Sequence, residues 1–425
     1  MPMSFRWYVT FEKFNGQKPM LKKVQPKMWW AALFAVVVIV LSWVWVSNSR
    51  SHDLVNFKRN AKSNPNLDPT EIRNPDAKTL LKITQIEDIF RRKRRAGFNG
   101  NVLVVQKGHI LYQGSFGYAH LKDKDSLQSH SKFQLASLSK PFTAVAVLKL
   151  IQDGKVSLED SVQRFFPDFP YHGVKVDMLL SHRSGLPNYI YSFPDSVRHG
   201  KKFPTNMTVM DWYAKVVPTP HPYNRPGRSF NYCNTNYCVL AAIVEKVTGA
   251  SFDNYLHNEI FAPLGMNNTV LVTDTSEASM MYRTVGHQYG RMLAKDYYDD
   301  VVGDKGLYST TGDIYRFYAG LTSGLLINKN LLKEAWTPRS FERDGIRNYG
   351  YGFRMHVKPD HSTRFIYHGG WWKGYNSMFW ICPEDEAVII ILGNSYNRNI
   401  YDIKELLTVL HGSESDKLED IEKDL

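Results

Sequence analysis

Residues 134–154 read QLASLSKPFTAVAVLKLIQDG. From Phe142 onward the segment is almost wholly apolar, and Gly154 stops it, so a buried helix over 137–153 is expected. Pro141 suits a first turn, where its missing N–H would have no helical partner anyway. Ser137 and Lys140 stand three residues apart, and positions i and i+3 share a helix face. The lysine amine can therefore reach the serine hydroxyl. A helix start also offers unpaired backbone N–H groups and a positive dipole end to a developing anion. An amine stripped of water favours its neutral form and can then accept a proton. The SxxK spacing alone is weak evidence. Ser129-His130-Ser131-Lys132 repeats it in a polar stretch with no helical period.

The neighbouring segments extend this reading. Gly100–Tyr118 reads as a β-hairpin, with NVLVVQ and HILYQG as strands and Lys107-Gly108 as the turn. Thr79–Arg95 is expected to be helical, with Leu80, Ile83, Ile86 and Phe90 on one face. Asn236–Val247 and Phe252–Phe261 read as helices separated by Thr248-Gly249. Asn376–Cys382 and Ala387–Leu392 read as strands joined by Pro383-Glu384-Asp385, and a helix follows over 400–410. Strands at both ends with helices between them predict one α+β domain whose sheet unites N- and C-terminal strands.

The chain has 425 residues, 43% hydrophobic and 22% charged, which excludes whole-chain disorder and collagen-like or disulfide-rich classes. Its net charge of +12 raises the question of nucleic acid. However, ten of the 53 basic residues, against only Glu12 and Asp53 among the acidic ones, fall in residues 1–62. That excess flanks Trp29–Val46, WWAALFAVVVIVLSWVWV, an uncharged run with tryptophans near both ends. Such a run has the length and interfacial aromatics of a membrane span. No small-x-small cleavage site follows it, so an uncleaved anchor is expected. The positive-inside rule puts residues 1–28 in the cytoplasm and the body outside, in the periplasm if the host has an outer membrane. The predicted organisation is a cytoplasmic segment (1–28), a transmembrane helix (29–47), a linker rich in Asn-Pro and Asp-Pro steps (48–78), a catalytic domain (79–412) and an acidic tail (413–425). The basic run Arg91–Arg95 reads as a solvated helix end complementing the macrodipole, with anionic lipid as its functional alternative.

Two further motifs bear chemistry. Tyr232-Cys233-Asn234 is a YxN. A phenol beside an ammonium can serve as a base, and a carboxamide can hold a substrate amide or orient the lysine. His368-Gly369-Gly370 precedes a strand, and paired glycines let backbone N–H groups approach a ligand. Cys233, Cys238 and Cys382 show no CxxC, and His361 and His368 lack HxxxH spacing, so neither metal nor other cofactor is expected.

With SxxK, YxN and HxG in that order, the chain resembles the penicillin-recognising serine hydrolases: class C β-lactamases, DD-peptidases and related esterases and D-amino-acid peptidases. LLSHRSGLPNY (179–189), RPGRSFNYCNTNY (225–237) and GDKGLYSTTGDIYRF (303–317) add to the likeness. The resemblance implies a β-lactamase/transpeptidase-like fold, an antiparallel sheet flanked by helices with an all-helical subdomain carrying the Tyr motif. It implies Ser137 as acylated nucleophile, and Lys140, alone or with Tyr232, as proton acceptor. Tyr232 would also protonate the leaving group and activate the deacylating water. Asn234, His368 and Gly370 would bind and orient substrate, and the N–H groups of Ser137 and Trp371 would form the oxyanion hole.

One departure stands out. β-Lactamases and DD-peptidases usually carry lysine where His368 stands, and a histidine is mostly neutral at pH 7. A site without that permanent cation is expected to favour esters, peptides or amides lacking a free carboxylate. The expected function is thus a membrane-anchored serine hydrolase acting on a small molecule or peptide, with no nucleic-acid partner. A true β-lactamase or DD-carboxypeptidase, a non-turnover penicillin-binding or cell-wall sensor module, and a nucleic-acid or lipid-surface binder driven by charge are the alternatives.

Overall fold

The computed structural model describes residues 67–193, 203–343, 345 and 347–411. The expected cytoplasmic segment, the span at 29–47, most of the linker and the acidic tail lie outside them. Among the described residues, no helix is long and apolar enough to cross a membrane.

The main sheet has eight strands: β1 (Thr70–Glu71), β2 (Gly100–Gln106), β3 (His109–Phe116), β4 (Arg347–Tyr349), β5 (Arg354–Val357), β6 (Thr363–Trp372), β7 (Tyr375–Cys382) and β8 (Ala387–Gly393). Their order is β1-β3-β2-β8-β7-β6-β5-β4, so β2 and β8 join the two ends of the chain as expected. Lys107 and Gly108 both take positive φ, 53° and 76°, the turn whose twist suits a tight hairpin. The sheet is mixed rather than purely antiparallel, because β1 runs parallel to β3. Pro69 and Pro75 bracket β1 and keep it to a short edge strand.

Both faces of the central strands are covered, which explains their unbroken apolar runs. Along β8, Val388, Ile390 and Leu392 join one core, while Ala387, Ile389 and Ile391 join the other. The second core is closed by α1 (Ala77–Arg95) and α5 (Lys404–His411), through Ile86, Ile89, Phe90, Leu406, Leu407 and Leu410. The first is closed by α2 (Lys140–Gln152), α3 (Asn234–Thr248) and α4 (Thr311–Thr322).

Several boundaries differ from the sequence reading. Helix α1 begins at Ala77 because Asp76 caps it, its side chain accepting from the Thr79 amide at 2.7 Å. Leu80 stands on the exposed side of that helix. Residues 67–78, expected in the linker, belong to the domain: Leu67 packs on the core and Asp68 pairs with Arg316 at 2.7 Å. The final helix starts only at Lys404, after a 3-10 turn over Arg398–Ile400. The segment between the sheet's halves is not all-helical: besides its helices it holds a three-stranded sheet of Phe133–Gln134, Leu307–Ser309 and Val270–Leu271, and two small ribbons, Tyr118–His120 with Asp125–Ser126 and His287–Gln288 with Arg291–Met292. Within the basic run, Lys93 donates to Asn399 O and Asp402 O at 2.7 Å each, and Arg92 pairs with Glu405. Those contacts staple α1 to the α5 end of the chain.

Buried histidines give the domain a predictable pH response. His356 lies against the rings of Tyr367 and Trp380, and burial, with Arg347 and Arg364 nearby, pushes its pKa down to about 3. His182 and His368 are also fully buried and held well below the ordinary range, first by burial. A folded-state pKa below the unfolded value means that the unfolded chain binds more protons on acidification. The stability is present above about pH 6.5 and is lost as pH falls toward the folded pKa, at up to about 1.4 kcal/mol per unit per such histidine. Thermal unfolding should therefore show a lower Tm at pH 5.5 than at pH 7.5. An equal Tm at both would contradict neutral burial of these rings.

Candidate active site

Ser137 lies not in the helix itself but in a 3-10 turn over Ala136–Ser139, one turn ahead of α2. Ala136 holds φ at +50°, a conformation that costs a non-glycine residue roughly 1–3 kcal/mol. That kink turns Ser137 toward the opening while Leu135, Ala136, Leu138 and Ser139 on either side are buried.

Lys140 is fully buried, and its Nζ has three oxygen partners: Ser137 Oγ at 3.0 Å, Asn234 Oδ1 at 2.9 Å and the Asp304 carbonyl at 2.8 Å. The latter two can only accept. Ser137 can also donate. Two N–H groups of Lys140 therefore go to Asn234 and Asp304, and the third position faces the Ser137 hydroxyl, which can accept from Nζ or hand its own proton to it.

Tyr232 stands on the extended approach to α3, and Cys233 is the N-cap residue, its thiol turned to the Leu186 carbonyl at 3.3 Å rather than to the helix amides. Asn234 is the first helical residue rather than a capping one, because its carboxamide oxygen is committed to Lys140. The Tyr232 ring has Lys140 Nζ at 4.9 Å and the Arg354 guanidinium at 4.8 Å from its centroid. Its phenol oxygen is shielded from solvent and lacks a well-formed hydrogen bond. His182 positions this approach. Its carbonyl accepts from Asn231 N at 2.8 Å, its Nδ1 accepts from Cys233 N at 3.2 Å, and its ring centroid lies 4.3 Å from that of Tyr232.

The third wall is β6. The last residue of β6 that pairs with β5 is Tyr367, opposite Arg354, so His368–Trp372 have β7 on one side and no β5 partner on the other. The bare edge runs past the serine turn. A Cβ added to Gly370 would stand 2.2 Å from Leu135 O and 2.8 Å from Ser137 N, so only glycine lets the strand approach this closely. Trp371 follows on the same edge with its side chain half exposed. His368 is buried beneath the strand. Its Nε2 faces Tyr349 Oη at 3.2 Å and its Nδ1 faces the Gly369 carbonyl at 2.8 Å, an arrangement that makes the tyrosine the donor and Nδ1 the protonated nitrogen. Burial, then Arg354 and Lys140, hold it neutral.

The structure thus brings Ser137, Lys140, Tyr232, Asn234, Gly370 and Trp371 to one cleft, and sets His368 behind it. The second SxxK is not part of it: Lys132 donates to the carbonyls of Ala278 and Ser279 instead. Arg354 was missed from the sequence, and it sets a permanent cation over the Tyr232 ring while His368 itself is held neutral. Burial opposes its charge, but the phenols of Tyr232, Tyr367 and Tyr349 outweigh that and hold its pKa up. It forms no ion pair with a carboxylate among the described residues. His182, Tyr349 and Asp304 were also missed as site residues, although 179–189 and 303–317 stood out as segments.

Comparisons with known proteins identify the family and the fold. The Beta-lactamase family matches residues 86–410. Penicillin-binding protein 4* of Bacillus subtilis is 33% identical over 320 residues, covering 72% of this chain and 70% of that protein. D-aminopeptidase of Brucella anthropi is 23% identical over 330 residues, covering 77% of this chain and 62% of that one. In fold, the penicillin-binding protein of Bacillus halodurans superposes with a TM-score of 0.65 at 23% identity, over 77% of this chain and 98% of that chain. The chain belongs to the β-lactamase family of penicillin-recognising serine hydrolases.

Proposed function

We propose that the protein is a serine acyl hydrolase that forms an acyl-enzyme at Ser137 and prefers amide, peptide or ester substrates carrying a carboxylate near the scissile bond. The observation that carries this reading is the Lys140 cage beside a carboxylate-free Arg354. Ser137 Oγ bonds to the acyl carbon as its proton passes to Lys140 Nζ, and backbone N–H groups at Ser137 and Trp371 receive the oxyanion. Donors of that kind are commonly worth about 3–4 kcal/mol in the transition state. Tyr232, flanked by two cations, returns a proton to the leaving group and then serves the deacylating water. Asn234 orients Lys140. His368 acts at one remove, by holding the strand that carries Gly370 and Trp371. The kinship with a D-aminopeptidase supports amide and peptide substrates.

A fluorophosphonate should label the chain, and labelling should vanish in Ser137→Ala; labelling that survives this change sinks the assignment. Arg354→Met should raise KM about 10-fold to 100-fold for a depsipeptide with a free carboxylate next to the ester, as expected for loss of a charged hydrogen bond. It should change KM for p-nitrophenyl acetate by less than about threefold. Equal effects on both substrates would remove the carboxylate preference. A stable adduct with no turnover of any ester would favour a non-hydrolytic penicillin-binding or sensor role. The anchor at 29–47, with the domain outside the cytoplasm, we propose from sequence features alone. Release of the full chain from membranes by alkaline carbonate would argue against it.

A further inference from the structure

Behind the candidate site lies a second buried lysine that the chemistry above does not use. Asp304 and Lys305 are 1% and 3% exposed, with Lys305 Nζ 3.4 Å from Asp304 Oδ2. Tyr189, fully buried, closes a triangle: its hydroxyl accepts a hydrogen bond from Lys305 Nζ at 2.6 Å and donates one to Asp304 Oδ2 at 3.1 Å. Lys305 Nζ also donates to Val301 O at 3.2 Å, and the rings of Tyr189 and Trp372 cover it at 5.2 and 5.1 Å.

A buried ion pair is a poor source of stability, since desolvation offsets much of the attraction. Its placement is more informative. The main-chain carbonyl of Asp304 itself is the third acceptor of Lys140 Nζ, at 2.8 Å. The preceding carbonyl, Gly303 O, is held by Thr143 Oγ1 at 2.7 Å, from the helix that carries Lys140. Gly303 and Gly306 turn the segment at φ +97° and +101°, and a Cβ on Gly303 would meet Tyr237 O at 2.5 Å. The loop is thus pinned to α2 on one side and to the triangle on the other. Trp372, which covers Lys305, gives its indole N–H to Asp299 Oδ1 at 2.6 Å and follows Trp371 in β6. One network therefore reaches both the lysine cage and the strand across the cleft.

We propose that Asp304, Lys305 and Tyr189 are positioning residues that aim Lys140 at Ser137 by fixing the Asp304 carbonyl. This rests on the reading of Ser137 and Lys140 as nucleophile and proton acceptor. A serine hydroxyl and its base must hold near-attack geometry, and a small shift of one anchor is enough to cost rate. The three side chains of the triangle contact neither Ser137 nor Lys140, and only the Asp304 main-chain carbonyl reaches Nζ, so loss of the triangle falls on the acylation rate and not on substrate affinity.

The test uses the full chain, p-nitrophenyl acetate as substrate and a fluorophosphonate as label. Tyr189→Phe removes one hydroxyl and changes no formal charge at neutral pH. It should slow acylation about fivefold, leave KM within about twofold, and shift the acid limb of the pH–rate profile. Lys305→Met should slow acylation about 50-fold with the same KM pattern. Wild-type rate and pH profile in both variants, each with a cooperative thermal transition, overturn the proposal. If Lys305→Met does not fold, Tyr189→Phe decides alone, and an unchanged profile there overturns it. A wild-type chain that resists labelling, or a Ser137→Ala variant that still labels, overturns the underlying reading and this inference with it. Normal wild-type labelling with unaffected variants removes the positioning role only.

Discussion

Replacing Lys140 with methionine should reduce acylation of Ser137 by about 1,000-fold or more and also weaken the fold. Two losses act together. General base assistance is commonly worth 100-fold to 10,000-fold, and no other amine is within reach of Ser137 Oγ among the described residues. Methionine fills similar space but donates nothing, so Asn234 Oδ1 and the Asp304 carbonyl lose their lysine partner. A buried acceptor left unpaired costs about 1–3 kcal/mol. Fluorophosphonate labelling kinetics and thermal unfolding measure the two effects separately. A variant that keeps its labelling rate would show that Tyr232 or water, and not Lys140, receives the serine proton. A variant that loses labelling with an unchanged Tm would show that the cage is catalytic without being structural.

Gly370→Ala should be the most damaging single methyl addition on the cleft's strand. The new carbon would overlap Leu135 O at 2.2 Å and crowd Ser377 Oγ at 2.6 Å, and the Ser377 hydroxyl already donates to Leu135 O at 2.6 Å. Two of the three nearest atoms are backbone, which cannot rotate away. The strand and the serine turn must separate, and this moves Trp371 away from Ser137. Overpacking of this kind costs roughly 1–3 kcal/mol, while loss of alignment should lower acylation about 100-fold. Gly369→Ala is the control. Its nearest neighbour is the flexible Met378 Sδ at 2.9 Å, so a rotamer change can relieve it. Comparable damage from both substitutions would mean that the close approach at Gly370 has no special role.

Parts of the molecule were legible in sequence wherever the information is local. The Lys107-Gly108 turn, the short apolar β8 strand and the Gly154 stop each follow from local preferences of a few consecutive residues. The SxxK pair was legible because three residues on a helical turn necessarily bring Ser137 and Lys140 together. Arg354 was not, since RMHV reads as an ordinary strand and Tyr232 lies far away in the chain. Its partner is chosen by the antiparallel register that sets Arg354 opposite Tyr367. The third acceptor of Lys140 was also hidden, because a backbone carbonyl carries no side-chain signature. Ala136 gives no sign of its left-handed conformation, which the packing around it imposes.

Sequence by itself determined the α+β class, the two strands that join the chain's ends and the identity of the serine, lysine, tyrosine and glycine that meet in the cleft. The class, the strands and the serine–lysine pair arise from periodicity, turn chemistry and helical spacing, all short-range properties, while the tyrosine and glycine were implied by the family resemblance. Only the tertiary structure decided the charge and geometry of the site. It placed a permanent cation beside Tyr232, buried His368 behind the strand, and held the Asp304 carbonyl against Lys140. Those are contacts between distant segments, and their energies depend on burial and distance, which exist only once the sheet and helices have packed.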